Sequence, residues 1–175
     1  GILTGTVEFT VTKQKFLRPE GEVMLPDVTE QFDPQKYFKT REGLYVWGDF
    51  IDRIVSVAKA IDGTSAMKLG KLDLAKQAND AEIRSELPKN HVFEDASVFC
   101  AHLAGMINRQ PNGKSGELLN NGYANIFYVK GKSGEVFAVR VGWHSGDRRW
   151  LVLARPLLDD RWLAGARAFS ATAGA

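Results

Sequence analysis

Alternation with period two dominates the last third of the chain. Four runs, 124–130, 135–143, 149–155 and 161–169, place apolar and polar residues on opposite parities, as strands do. Turn residues separate them: Gly131-Lys132-Ser133-Gly134, then His144-Ser145-Gly146-Asp147, then Asp159-Asp160 after Pro156. The pattern predicts a four-stranded antiparallel meander. One parity is almost wholly apolar: Phe127, Val129, Phe137, Val139, Val141, Trp143, Trp150, Val152, Ala154, Trp162, Ala164, Ala166 and Ala168. The other is mixed, with Ile126, Tyr128, Ala138, Arg140, His144, Arg149, Leu151, Leu153, Arg155, Arg161, Leu163, Arg167 and Phe169.

Upstream, Val7, Phe9 and Val11 alternate with polar residues and predict a strand within 2–17, broken by Pro19 and Gly21, and 20–30 reads as loop. Asp33-Pro34 is a helix start, with an N-capping carboxylate and a first-turn proline, for a short helix over 34–39. Leu44–Trp47 reads as a short strand. Phe50, Ile51, Ile54, Ala58 and Ile61 form a helical stripe that starts at an Asp49 cap and ends at Asp62-Gly63. Residues 67–75 and 81–87 read as a hairpin, with a helix as the competing assignment for the helix-forming stretch 72–87. A second amphipathic helix is predicted over 91–109, with Val92, Ala96, Phe99, Cys100, Leu103 and Ile107 inward, stopped by Gln110-Pro111-Asn112-Gly113. Together these predict one α+β domain spanning 1–175, its antiparallel sheet packed against two amphipathic helices.

Composition changes this picture little. The 175 residues include 44% hydrophobic and 25% charged, ordinary for a globular chain, and the net charge of +2 does not announce a polyanion partner. Its distribution is uneven: residues 18–62 carry nine acids and six bases, whereas 136–175 carry six arginines and three aspartates. The single cysteine, Cys100, excludes an intrachain disulfide and fits a reducing compartment, so the expectation is cytoplasmic. No run has the length of a transmembrane helix, and no membrane partner is expected. The chain opens on Gly rather than Met, which reads as a trimmed start.

Tests for chemistry are mostly negative. Gly113-Lys114-Ser115 and Gly131-Lys132-Ser133 lack the upstream glycine of a phosphate-binding loop, the positions being Asn108 and Ile126, and read as turns. His91, His102 and His144 with one cysteine form no metal pattern. Cys100 and His102, two apart on a helix, do not face each other. No cofactor is expected. The least implausible catalytic pair is His144 with Asp147, a candidate for acid–base or phosphodiester chemistry.

The leading expectation is a non-enzymatic protein-interaction domain that uses the mixed face, with Arg140, Arg149, Arg155, Arg161, Arg167 and Tyr128 as binding residues. Tyr45 and Trp47 would serve as an aromatic anchor if exposed. A second copy of the chain is the self-association version of the same idea. The alternative is nucleic acid on the same basic face, arginines on phosphates and aromatics under bases. An enzyme centred on His144 is the third reading.

Overall fold

A computed structural model describes residues 15–172; the strand predicted around Val7–Val11 lies outside the described residues. Among these residues seven strands form one mixed, mostly antiparallel sheet in an α+β fold. In chain order these are β1 (Leu17–Leu25), β2 (Leu44–Val46), β3 (Met67–Leu74), β4 (Asn125–Lys130), β5 (Val136–His144), β6 (Arg149–Pro156) and β7 (Arg167–Ala171). Four helices accompany them: α1 (Pro34–Tyr37), α2 (Gly48–Arg53), α3 (Asp80–Glu86) and α4 (Ala96–Asn108). The spatial order is β1-β3-β7-β4-β5-β6-β2.

The predicted meander holds for three strands, β4, β5 and β6, which pair antiparallel in the expected succession. The fourth run does not join them. Its first half bridges Ala78 through Trp162, and Gly165, whose N–H donates to Leu74 O, then turns the chain at φ 100°, a conformation open to glycine. The remainder becomes β7, which lies on the far side of β4, parallel to it and antiparallel to β3. The crossing restarts the phase of alternation. Phe169 therefore stacks on Phe127, centroids 4.9 Å apart and rings within 6° of parallel, while Trp162, Ala166 and Ala168 join the opposite face.

Both faces of the sheet are covered over its centre, which is why β4 is buried on both parities. The larger core packs Phe127, Val129, Val139, Val141, Trp150 and Val152 against Phe99, Cys100, Leu103 and Ile107 of α4 and against Phe50 and Ile54 in and just after α2. The smaller core packs Ile126, Tyr128, Ala138 and Ala168 against Ile83 of α3, Leu72, Leu74 and Trp162.

Other expectations change for identifiable reasons. Residues 20–25, the first part of the expected loop 20–30, belong instead to the edge strand β1, whose register shifts between Pro19 and Gly21; an edge bulge tolerates both residues. Of residues 81–87, expected as a return strand with a helix as the competing assignment, 81–86 are helical in α3, while 67–74 is the strand β3 as expected. The start is fixed by a reciprocal capping box: Asn79 Oδ1 accepts from Glu82 N at 2.9 Å and Glu82 Oε1 from Asn79 N at 2.9 Å. The helix α2 is shorter than its stripe. A 3₁₀ turn over Val55–Val57 follows, Ala58 is extended, and Ile61 bridges Phe32. Asp49 is not its cap; its carboxylate accepts from Ala154 N at 3.1 Å, and Arg53 Nη1 donates to Ala154 O at 2.8 Å, so α2 satisfies the outer edge of β6 beyond β2. The helix α4 starts at Ala96, capped by Asp95, because residues 91–93 run beside β4, with Phe93 N donating to Tyr128 O. The Asp33 cap of α1 and the strand at Leu44–Val46 match the reading of the sequence.

Candidate functional site

The mixed face of the meander is covered only in part. Over Tyr128 and Ala138 it lies under α3 and Trp162; toward β6 and β2 it stays accessible. Tyr128 is therefore internal, fully buried, with its hydroxyl donating to Asp80 Oδ1 at 2.8 Å. Burial, and then the Asp80 carboxylate, push its pKa up, so it remains a protonated donor. Arg167 belongs to the opposite face. It is spent there on a two-pronged ion pair with Asp73, at 2.7 and 3.2 Å, and on Glu117 O.

Three of the predicted arginines do converge. Arg140 (opposite Leu153 on β6), Arg155 and Arg161 line one cleft of about 320 Å³, together with Tyr123, Ala124, Leu153, Trp162, Leu163 and Ala166. The sheet forms its floor, segment 122–124 one wall and segment 161–166 the other. The Tyr123 ring lies against Gly165, where a Cβ would sit 3.5 Å from it, so the two walls meet at one side.

The charges in this cleft are poorly compensated. Arg155 stacks on Trp162, 4.0 Å from guanidinium carbon to ring centroid. Its Nη2 is 3.9 Å from Asp80 Oδ2, too far for a hydrogen bond, and its buried Nε and Nη2 have no hydrogen-bond partner. The Arg140 guanidinium makes no hydrogen bond or ion pair with any described residue. Burial, and then Arg155, lower its pKa from the ordinary arginine value. Asp80 is already committed, accepting from Tyr128 Oη, from Trp162 Nε1 at 2.7 Å and from Leu158 N at 3.0 Å.

Farther along the same face Arg149 lies over Tyr45, 4.7 Å to the centroid, with Nη2 3.6 Å from Asp147. Tyr45 is paired in register with Leu151 and meets Trp47 edge-on at 5.6 Å; Trp47 is 43% exposed. His144 and Asp147 sit on a half-exposed turn between β5 and β6, where Nδ1 accepts from Asp147 N at 3.1 Å. Among the described residues no three His, Cys, Asp or Glu side chains gather as a metal would require, and no helix is long and apolar enough to cross a membrane. The Cys100 thiol is buried, and burial pushes its pKa up, the opposite of activation for nucleophilic attack.

Asp80, Tyr123 and Trp162 were not among the expected site residues. The Asn79-x-x-Glu82 capping pattern carried a signal for Asp80, since it starts a helix there. Compared with protein-family models, curated proteins and solved structures, the chain matches none.

Beside this site, His91 is held neutral. Its Nδ1 donates to Pro88 O at 2.7 Å and its Nε2 accepts from Arg84 Nε at 3.0 Å. Burial foremost, opposed by the Pro88 carbonyl and aided by Arg84, lowers its pKa; burial likewise lowers that of His102, whose Nε2 meets Ser65 O. Both folded values lie below the unfolded value of 6.5. As pH falls through 6.5 the unfolded chain takes up protons that the folded chain refuses, so stability declines there until the folded values are passed. Thermal melts from pH 7.5 to 5 are expected to show a steeper decline for the wild type than for the His91→Gln/His102→Gln variant. Equal slopes would remove the histidines as its cause.

Proposed function

We propose that this protein is a non-enzymatic binding domain that receives an acidic protein partner on its Arg/Leu/aromatic face. One observation carries the reading: Arg140, Arg155 and Arg161 meet in one cleft against a single, already committed carboxylate. Around it lie apolar side chains left exposed by the described residues, Leu163 at 64% and Tyr123 at 42%. Half-buried Leu151 and Leu153 continue the surface toward Tyr45 and Trp47. Arginine, aromatics and leucine around a partly dry centre are the composition of protein interfaces. Base stacking is less well served: Trp162 is buried beneath Arg155, Tyr128 is internal, and Arg149 covers one face of Tyr45.

The test is an NMR titration with an acetylated, amidated peptide of alternating Leu and Glu. Saturable shifts confined to β6, β2 and the cleft, weakened by salt, are expected; the Lys counterpart is expected to produce none. A mixed single-stranded and duplex DNA pool that binds more tightly, with a steep salt dependence, would replace this reading with the nucleic-acid one. A salt-resistant dimer abolished by Leu151→Asp would instead place a second copy on the face.

A further inference from the structure

We infer that the cleft between segments 122–124 and 161–166 is a receptor for one carboxylate carried on an apolar body, with Arg140 and Arg155 as its ligands. This rests on the reading of the face as a binding surface and assigns the chemistry at its centre. The two arginines stand diagonally on neighbouring strands, Arg140 opposite Leu153 and Arg155 two residues farther along β6, within mutual reach of long side chains. Arg155 Nε and Nη2 are buried without an acceptor, an expensive arrangement for a guanidinium that a turn of the fork toward an acceptor in the cleft would relieve. Three guanidiniums and one carboxylate leave the cleft with a surplus of two positive charges.

The shape and the remaining donors select the anion. At about 320 Å³ the cleft is at the small end of ligand sites, and the Tyr123–Gly165 contact closes one side, so it takes a group the size of a side chain rather than a passing segment. Three of the lining's backbone N–H groups, which a phosphate would seek, are used elsewhere: Trp162 N donates to Ala78 O, Ala166 N to Leu163 O, and Tyr123 N to Asn121 Oδ1. The lining holds no lysine, serine or threonine. Planar guanidinium forks suit a planar carboxylate, and Leu153, Leu163, Ala124 and Ala166 suit an apolar carrier.

The same carboxylate chemistry can come from a free organic acid or from an acidic side chain of a partner, and two arms separate these sources. In the first, phenylacetate is titrated against phenylacetamide, with the Nε–H resonances of Arg140 and Arg155 and the indole N–H of Trp162 followed by NMR. In the second, the Leu/Glu peptide is compared with its Leu/Gln counterpart. Saturable shifts of these resonances in at least one arm, absent with the matching amide and weakened about tenfold or more by Arg140→Gln, are expected. The Arg140 side chain has no hydrogen-bond or ion-pair partner among the described residues, so that variant should fold; Arg148→Gln is the control and should bind normally. Shifts with phenylacetate alone would uphold the carboxylate receptor and remove the protein-partner reading. Peptide shifts at Tyr45 and Leu151 that spare Arg140 and Trp162 would do the reverse. Equal binding of the amides, binding of inorganic phosphate as tight as that of the carboxylate, or no response in either arm would overturn the inference.

Discussion

Asp80→Ala is expected to destabilise the protein by about 3–5 kcal/mol, the range found when one partner of a buried charged network is removed. The residue is 1% exposed at the first turn of α3, and one carboxylate serves three donors from three parts of the chain: the Tyr128 hydroxyl on β4, the Trp162 indole and the Leu158 amide. Alanine leaves the hydroxyl and the indole N–H buried without acceptors, at about 1–3 kcal/mol for each such group. It also strips Arg155 of the carboxylate that lies 3.9 Å from its Nη2. Asp80→Asn keeps one oxygen but turns an NH₂ toward the remaining donors, so a smaller loss of about 1–3 kcal/mol is expected. Urea unfolding measures both, the midpoint shifting while the slope holds. A loss under about 1 kcal/mol for alanine would mean that water replaces the carboxylate. Tyr128→Phe supplies a further check: in that background Asp80→Ala should cost less, because one of the stranded donors is gone.

Asp80 also marks the limit of what the sequence discloses. The period-two pattern defines β4, β5 and β6 and their pairing, because each strand follows its neighbour through a short turn and alternation then propagates across the ladder. It cannot say which face a strand presents after a long excursion. Between β6 and β7 the chain leaves the sheet, anchors through Trp162 and Asp80, and returns on the other side of β4. Arg167, on the arginine face by simple alternation, is thereby turned to Asp73, and Trp162 moves from the apolar face to the wall of the cleft. Arg140 and Arg155 are legible as members of one face because they lie on adjacent hairpin strands. Their lack of acceptors is not legible, since it depends on Asp80 being committed to residues 48 and 82 positions away. The α2 stripe shows the complementary failure: Phe50, Ile54 and Ala58 are buried as spacing suggests, but Ile51 is exposed, Ile61 is half-buried, and the backbone leaves the helix after Arg53. A stripe identifies what is buried more securely than how the chain reaches it.

Trp150→Ala is expected to cost about 3–5 kcal/mol, and its neighbours explain why the loss should spread into a loop. The side chain is 1% exposed in the large core, flanked in register by Trp143 on β5 and Leu44 on β2. Its ring meets Trp143 edge-on at 5.4 Å, and Trp143 in turn packs on Gly113, where a Cβ would fall 2.2 Å from the indole. The indole N–H donates to Gln110 O at 3.0 Å. Gln110 organises the loop after α4: its Nε2 donates to Lys114 O and Leu118 O, and its Oε1 accepts from Leu118 N. Removing Trp150 therefore opens a cavity beneath Trp143 and frees the carbonyl that ties this loop to the sheet. Amide exchange at Leu118 should accelerate beyond what the global loss of stability requires. Trp150→Phe keeps an aromatic ring and loses the donor, so about 1–2 kcal/mol is expected, with the same local acceleration at Leu118. If Phe leaves Leu118 exchange unchanged, the indole hydrogen bond does not hold the loop, and the Gln110 side chain with the buried Leu118 does so alone.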